Sequence, residues 1–148
     1  MSSTLVIDAS VSLGWILKEQ QNSAAIESLF GDIAVRKVNA VAPTVWLYEM
    51  LNGLKTAVLR KRITKIRAKK KIPDVLATLP ELFEFTQLVD ESFQIAIKYG
   101  LSIYDASYVS LAKQKRCKFF TGDQNLYEKV KNKLKYVLPI SEYKGVTI

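Results

Sequence analysis

Four short apolar runs, the first three each followed by a stretch with helical spacing, constrain this chain more than any other feature. Residues 4–8 (TLVID), 38–43 (VNAVAP), 118–121 (KFFT) and the run KYVLPI are rich in β-branched and aromatic side chains and too short for helices, so they read as strands. After the first run, Val11, Trp15 and Ile16 recur at helical spacing, with Trp15 read as a core aromatic. A second helix is expected over about 21–31, stopping near Gly31. Thr44, after Pro43, is placed to cap a long helix with an apolar stripe of Leu47, Leu51, Leu54 and Val58. The helical pattern then continues through Leu59, Ile63 and Ile66, and Pro73 and Pro80 punctuate the turn into a segment at about 81–98. A helix from about 105 to 116 and a short one after Asp123 complete the pattern. Strand–helix alternation of this kind predicts an α/β fold, with helices on both faces of a mainly parallel sheet and ligands at the carboxyl ends of its strands. The 148 residues suit one domain over 1–148.

The chain has no histidine and one cysteine, Cys117. Histidine-based triads, histidine acid–base chemistry and zinc sites built on histidine or several thiolates are therefore excluded. A lone cysteine makes no intrachain disulfide and fits a reducing cytoplasm. The start, MSSTLVID, lacks a basic leader and an uninterrupted apolar run, and no stretch is long and apolar enough for a membrane span. The net charge of +8 is concentrated: residues 55–71 hold nine Lys/Arg and no acid, and the remainder carries thirteen basic against fourteen acidic residues. Such a segment is either a solvated helix face or a surface for a polyanion.

Four acids fall where an α/β fold places its site. Asp8 ends the first strand, Asp123 follows KFFT by two residues, Asp105 begins a helix, and Glu49 lies one and a half turns into the helix after the second strand, leaning back toward the same rim. Each aspartate alone reads equally as a helix cap, and Glu49 as a solvent-facing helix residue. Converging carboxylates repel unless a cation sits among them, and an all-oxygen set suits Mg²⁺ or Mn²⁺. Acidic metal centres with basic flanks suit phosphodiester cleavage, the cations holding the backbone and the metal activating water. Ser10 and Thr121 are placed to position water or phosphate, or simply to cap. The small residues Ala9-Ser10 and Ala106-Ser107 leave clearance at helix starts, where amides favour anions.

The phrases LVIDASVSLGWIL, APTVWLYEMLNGL, GLSIYDASYVSLA and FFTGDQNL, in this order over residues 4–126, resemble the PIN-domain ribonucleases, and among them the VapC toxins of toxin–antitoxin pairs. The resemblance implies a three-layer α/β/α fold with a helical hairpin, here basic and at about 55–80, and an endoribonuclease that uses Mg²⁺ or Mn²⁺ to leave a 5′-phosphate and a 3′-hydroxyl. It implies Asp8 and Asp105 as principal metal ligands, with Glu49 and Asp123 completing the set directly or through water. Asn52 matches a polar position common in the family, or is a mid-helix Asn bonded locally. The resemblance further implies an RNA substrate, a cognate antitoxin and a homodimer. Arg60, Lys61, Arg62, Lys65, Arg67, Lys69 and Lys70 would face either RNA or an acidic antitoxin tail.

Other readings stay in view. A PIN nuclease for RNA maturation shares the same residues, and a non-catalytic RNA-binding module would have lost one of the four acids. Phosphotransfer domains are disfavoured, because Ser10 stands where an aspartyl phosphatase needs a second Asp and Ile7-Asp8 is not the acidic pair of a receiver domain.

Overall fold

The computed structural model describes residues 2–146 and contains one five-stranded, all-parallel sheet in the order β3-β2-β1-β4-β5. In chain order the elements are β1 (Ser3–Ile7), α1 (Ala9–Ile16), α2 (Ser23–Ala34), β2 (Val38–Pro43), α3 (Val45–Leu59) and α4 (Lys65–Ala77). These are followed by β3 (Glu81–Phe83), α5 (Val89–Tyr99), α6 (Ile103–Lys115), β4 (Lys118–Thr121), α7 (Gln124–Val130) and β5 (Val137–Pro139).

Strand alternation makes the layers. Val6, Val41 and Phe119 point into one core, shared with Trp46 and Met50 of α3, Ile95 of α5 and Tyr108, Val109 and Leu111 of α6. Their neighbours Leu5, Ile7, Ala40 and Phe120 point into the other, with Val11 and α2's Ile26, Leu29 and Phe30. Helices on both faces explain why the central strands read as continuous apolar runs. No helix among the described residues is long and apolar enough to cross a membrane.

Several elements differ from the sequence expectation, each for a local reason. The helix of α2 runs through Gly31 to Ala34, because Leu29 and Phe30 hold its last turns on the sheet. The basic stretch is not one helix: the chain leaves α3 at Arg60, turns with Lys61 in a left-handed conformation, and restarts where the Thr64 hydroxyl accepts the Arg67 N–H. Pro73 lies inside α4, whose Ala68 and Val75 are buried, so packing outweighs the lost helix bond. The segment at 81–98 splits into the short strand β3, a 3-10 turn and α5. On α3 the buried residues are Trp46, Met50, Leu54 and Ala57, with Leu47 and Leu51 only partly covered. Thr44 precedes that helix without a side-chain cap bond. Trp15 is 38% exposed and stacks on Phe30 at the edge of the core instead of within it.

Because every strand is parallel, their carboxyl ends form one rim. Asp8 follows β1, Thr44 follows β2 and Asp123 follows β4, while α6 runs down to Lys115 before β4 begins and so presents its amino-terminal turn at the rim. Two rim helices are tied together in the core, where the Trp46 indole N–H donates to the Ser12 hydroxyl at 3.3 Å, both residues being fully buried. Ser12→Ala would leave that N–H without a partner, and the expected loss is about 1–3 kcal/mol in urea unfolding.

Candidate active site

Asp8 leaves β1 in an extended conformation and caps α1. Its Oδ1 accepts the Val11 N–H at 3.3 Å and the Ser10 hydroxyl, and its Oδ2 accepts the Thr121 hydroxyl. Those hydroxyls in turn accept backbone N–H groups, Ser10 from Gly122 at 2.8 Å and Thr121 from Asp123 at 2.9 Å. Gly122 lies so near that a Cβ there would stand 3.0 Å from the Ser10 oxygen. The turn after β4 is thereby latched onto the turn after β1. Each hydroxyl has one hydrogen, and both are given to Asp8. Ser10 and Thr121 therefore orient this carboxylate. Asp123 caps α7 through the Leu126 N–H at 3.1 Å.

Asp105 is not a cap. Ser102 caps α6 by accepting the Asp105 N–H at 3.0 Å, which puts Asp105 in the first helical turn with its carboxylate free of the capping role. Glu49 is fixed by a residue that sequence reasoning missed: the Tyr108 hydroxyl donates to its Oε1 at 2.6 Å. Tyr108 is itself buried and stacked on Phe119. The signal was available, since Tyr108 lies three residues after Asp105 and so one turn below it on the same face of α6. Glu49 and the exposed Asn52 also border a cleft of about 850 Å³ whose walls include Tyr48, Phe85 and Tyr104, with Lys55 the cation among its lining residues.

The electrostatics couple these acids. Burial pushes Asp8 up to about 6 despite its hydrogen-bond donors, with the charge of Asp105 adding a smaller push. Burial also raises Glu49, opposed by the Tyr108 hydrogen bond and reinforced by the charges of Asp8, Asp105 and Asp123. Asp105 is raised by burial and then by Asp123, and eased by Ser102 and by Lys129, whose ammonium donates to the Gly100 carbonyl at 3.1 Å. None of the three ion pairs among the described residues involves any of the four acids. The rim thus gathers negative charge that Lys129 offsets only in part and that no ion pair among the described residues neutralises.

No three of these carboxylates, among the described residues, close on one point as a metal cage does. The donor set nonetheless suits a hard cation held by one or two carboxylates and several waters, the usual manner of Mg²⁺. The basic residues are elsewhere. Arg60, Lys61, Arg62, Lys65, Arg67, Lys69 and Lys70 are all exposed, but Arg60 is eleven residues beyond Glu49 along α3, roughly 16 Å down the helix axis. Of the basic stretch, only Lys55 lines the cleft that Glu49 borders.

The raised Asp8 sets a pH dependence. A carboxyl held above its ordinary 3.8 binds its proton more tightly in the folded state, so its contribution is fully present below that value and is lost as pH rises through about 6. In chelator, Asp8→Asn should therefore melt higher than wild type at neutral pH, by up to about 3 kcal/mol, with the gap closing near pH 4. Paired thermal melts from pH 4 to 7.5 measure it.

A model of the PIN domain matches residues 5–132 of the chain. Ribonuclease VapC3 from Pyrobaculum aerophilum is 25% identical over 127 residues, covering 84% of this chain and 93% of that protein. A crystal structure of PAE2754, also from Pyrobaculum aerophilum, superposes with a TM-score of 0.64 at 22% identity, covering 93% of this chain and 84% of the other. A toxin–antitoxin complex from Klebsiella pneumoniae contains a chain with a TM-score of 0.63 at 12% identity, covering 96% and 99%. With the matching model spanning most of its length and the sheet order, rim and layers described above, the chain belongs to the PIN-domain family.

Proposed function

We propose that this protein, as one domain over 1–148, is a divalent-metal-dependent endoribonuclease and the toxin of a toxin–antitoxin pair. The observation that carries the reading is the acidic rim: four carboxylates from four elements, three of them raised by burial and by neighbouring acids, with none of the four in an ion pair among the described residues. The similarity to Ribonuclease VapC3 supports RNA as the substrate, and the likeness in fold to a toxin–antitoxin complex supports an antitoxin as protein partner. A homodimer in the cytoplasm completes the reading.

In this mechanism Asp8 and Asp105 would hold Mg²⁺ or Mn²⁺, and Glu49 and Asp123 would complete its surroundings directly or through water. A cation held there would supply charge neutralisation at the scissile phosphate and would make water more acidic. Ser10 and Thr121 keep both oxygens of Asp8 in place, so the ligand is positioned before substrate arrives. Glu49 has its Oε1 held by Tyr108, which leaves Oε2 to take the proton of the attacking water. Water oxygen bonds to phosphorus in line, the bond to the 3′-oxygen breaks, and that oxygen takes up a proton to leave a 3′-hydroxyl and a 5′-phosphate. The strand lies along the cleft beside Glu49 and Asn52.

Purified protein given Mn²⁺ or Mg²⁺ should cleave RNA, and Asp8→Asn or Asp105→Asn should lower kcat by roughly 100-fold or more, as loss of a charge-stabilising group does. Cleavage that survives both substitutions sinks the assignment. Tyr108→Phe frees the Glu49 carboxylate, and loss of a charge-assisted hydrogen bond should reduce kcat/KM by roughly 10-fold while the protein still folds, as read by single-turnover kinetics beside a thermal melt.

A further inference from the structure

The rim leaves a physical problem for a ribonuclease. Four carboxylates repel a polyanion, and Lys55 is the one cation lining the adjoining cleft among the described residues. A second surface would strengthen the hold on a phosphate backbone. Helices α1 and α3 both start at the rim, and both end at the opposite side of the molecule, where α4 packs against them. At that junction is a cleft of about 170 Å³ with an apolar floor of Leu17, Ala57 and Ile63. Four cations from three segments line it: Lys18 after α1, Arg62 from the turn, and Arg67 and Lys71 from α4. Glu19 accepts from Arg62 at 2.9 Å, the one ion pair these cations make among the described residues, and Glu19, Glu27 and Asp74 share an adjoining cleft with Lys18 and Lys71. Arg60, Lys61, Lys65, Lys69 and Lys70 extend the charge outward, all exposed and none in an ion pair among the described residues. Lys18 is 37 residues or more from the basic stretch in sequence, so its membership could be seen only in the fold.

We propose that this four-cation cleft is a phosphate-binding exosite that grips the backbone of the RNA being cut at the rim. The inference rests on the ribonuclease reading above and adds to it a substrate requirement: the RNA must be long enough to engage both ends of the molecule. Two guanidinium forks and two ammonium groups around one small cleft match phosphate oxygens, and the cations trailing away match a polymer charged at every repeat. The binding it supplies is non-specific in sequence and steep in salt.

The test uses the full chain in chelator, where binding is separated from cleavage. Fluorescence anisotropy with a long single-stranded RNA across about 50–200 mM KCl gives the slope of log Kd against log salt. In Lys18→Gln/Arg62→Gln/Arg67→Gln/Lys71→Gln that slope should fall by roughly 0.7 per lost cation, close to 3 in all, with affinity at least about 10-fold weaker. Arg62→Lys/Arg67→Lys should keep the slope, and the milder Arg67→Gln/Lys71→Gln should lose about half as much, which preserves the test if the quadruple variant unfolds. With Mn²⁺ present, the quadruple variant should show a raised KM and unchanged kcat on the long RNA, and wild-type rates on a trinucleotide that reaches only the rim. An unchanged slope overturns the proposal. So does competition by polyglutamate as strong as by RNA of equal charge, which would make the cleft a site for an acidic protein. Wild type that binds with the full slope, loses it in the variant, and yet cuts nothing overturns the ribonuclease reading and leaves the exosite standing.

Discussion

The arrangement depends on one buried carboxylate. Asp8 sits at the end of the central strand, and its two oxygens receive hydroxyl hydrogens from Ser10 beside it and Thr121 more than a hundred residues away. Those same hydroxyls accept the amides of Gly122 and Asp123. A single side chain thus joins β1 to the neighbouring β4 at the level of the rim and fixes where Asp123 starts its helix. Burial makes the ionised form of Asp8 costly, and hydroxyl donors only partly offset it. A site pushed toward protonation by burial would be relieved by a cation, which links the packing of the strand ends directly to the chemistry proposed for them.

Glu49 is held in a different way. Its helix is set by Trp46, Met50 and Leu54 on the sheet, and its carboxylate is set by a tyrosine reaching across from α6. Tyr108 is part of the core through its stacking on Phe119, so the orientation of an acidic side chain at the surface derives from aromatic packing beneath it. Residues from α1, α3, α6 and the turn before α7 thus meet through two short hydrogen-bond chains.

Much of this was legible in the sequence. The runs at 4–8, 38–43 and 118–121 appeared as strands because burial on both faces leaves them apolar throughout, and the four acids stood out because parallel strands put their ends together. What stayed hidden was set by contacts between distant segments. The strand β3 has three residues, with Glu81 at its start, and shows no pattern until it pairs with Val41, Ala42 and Pro43. Asp105 looked like a cap because Ser102, the residue that caps, lies three positions earlier. The turn at 60–64 was masked because Leu59, Ile63 and Ile66 keep helical spacing across it, although Leu59 and Ile66 are left largely exposed. Charge density alone put the basic stretch beside the acids; the length of α3 separates them.

That separation sets acidic and basic charge at opposite ends of α3. Acidic charge gathers at the carboxyl ends of the strands and basic charge at the far ends of the helices, on a body that is otherwise near neutral. In the field of a polyanion such a body experiences a torque before it makes contact, and it turns its cationic end forward. The orientation of encounter would therefore be biased at long range, and under the proposed function the acidic end would reach the polymer after the cationic end.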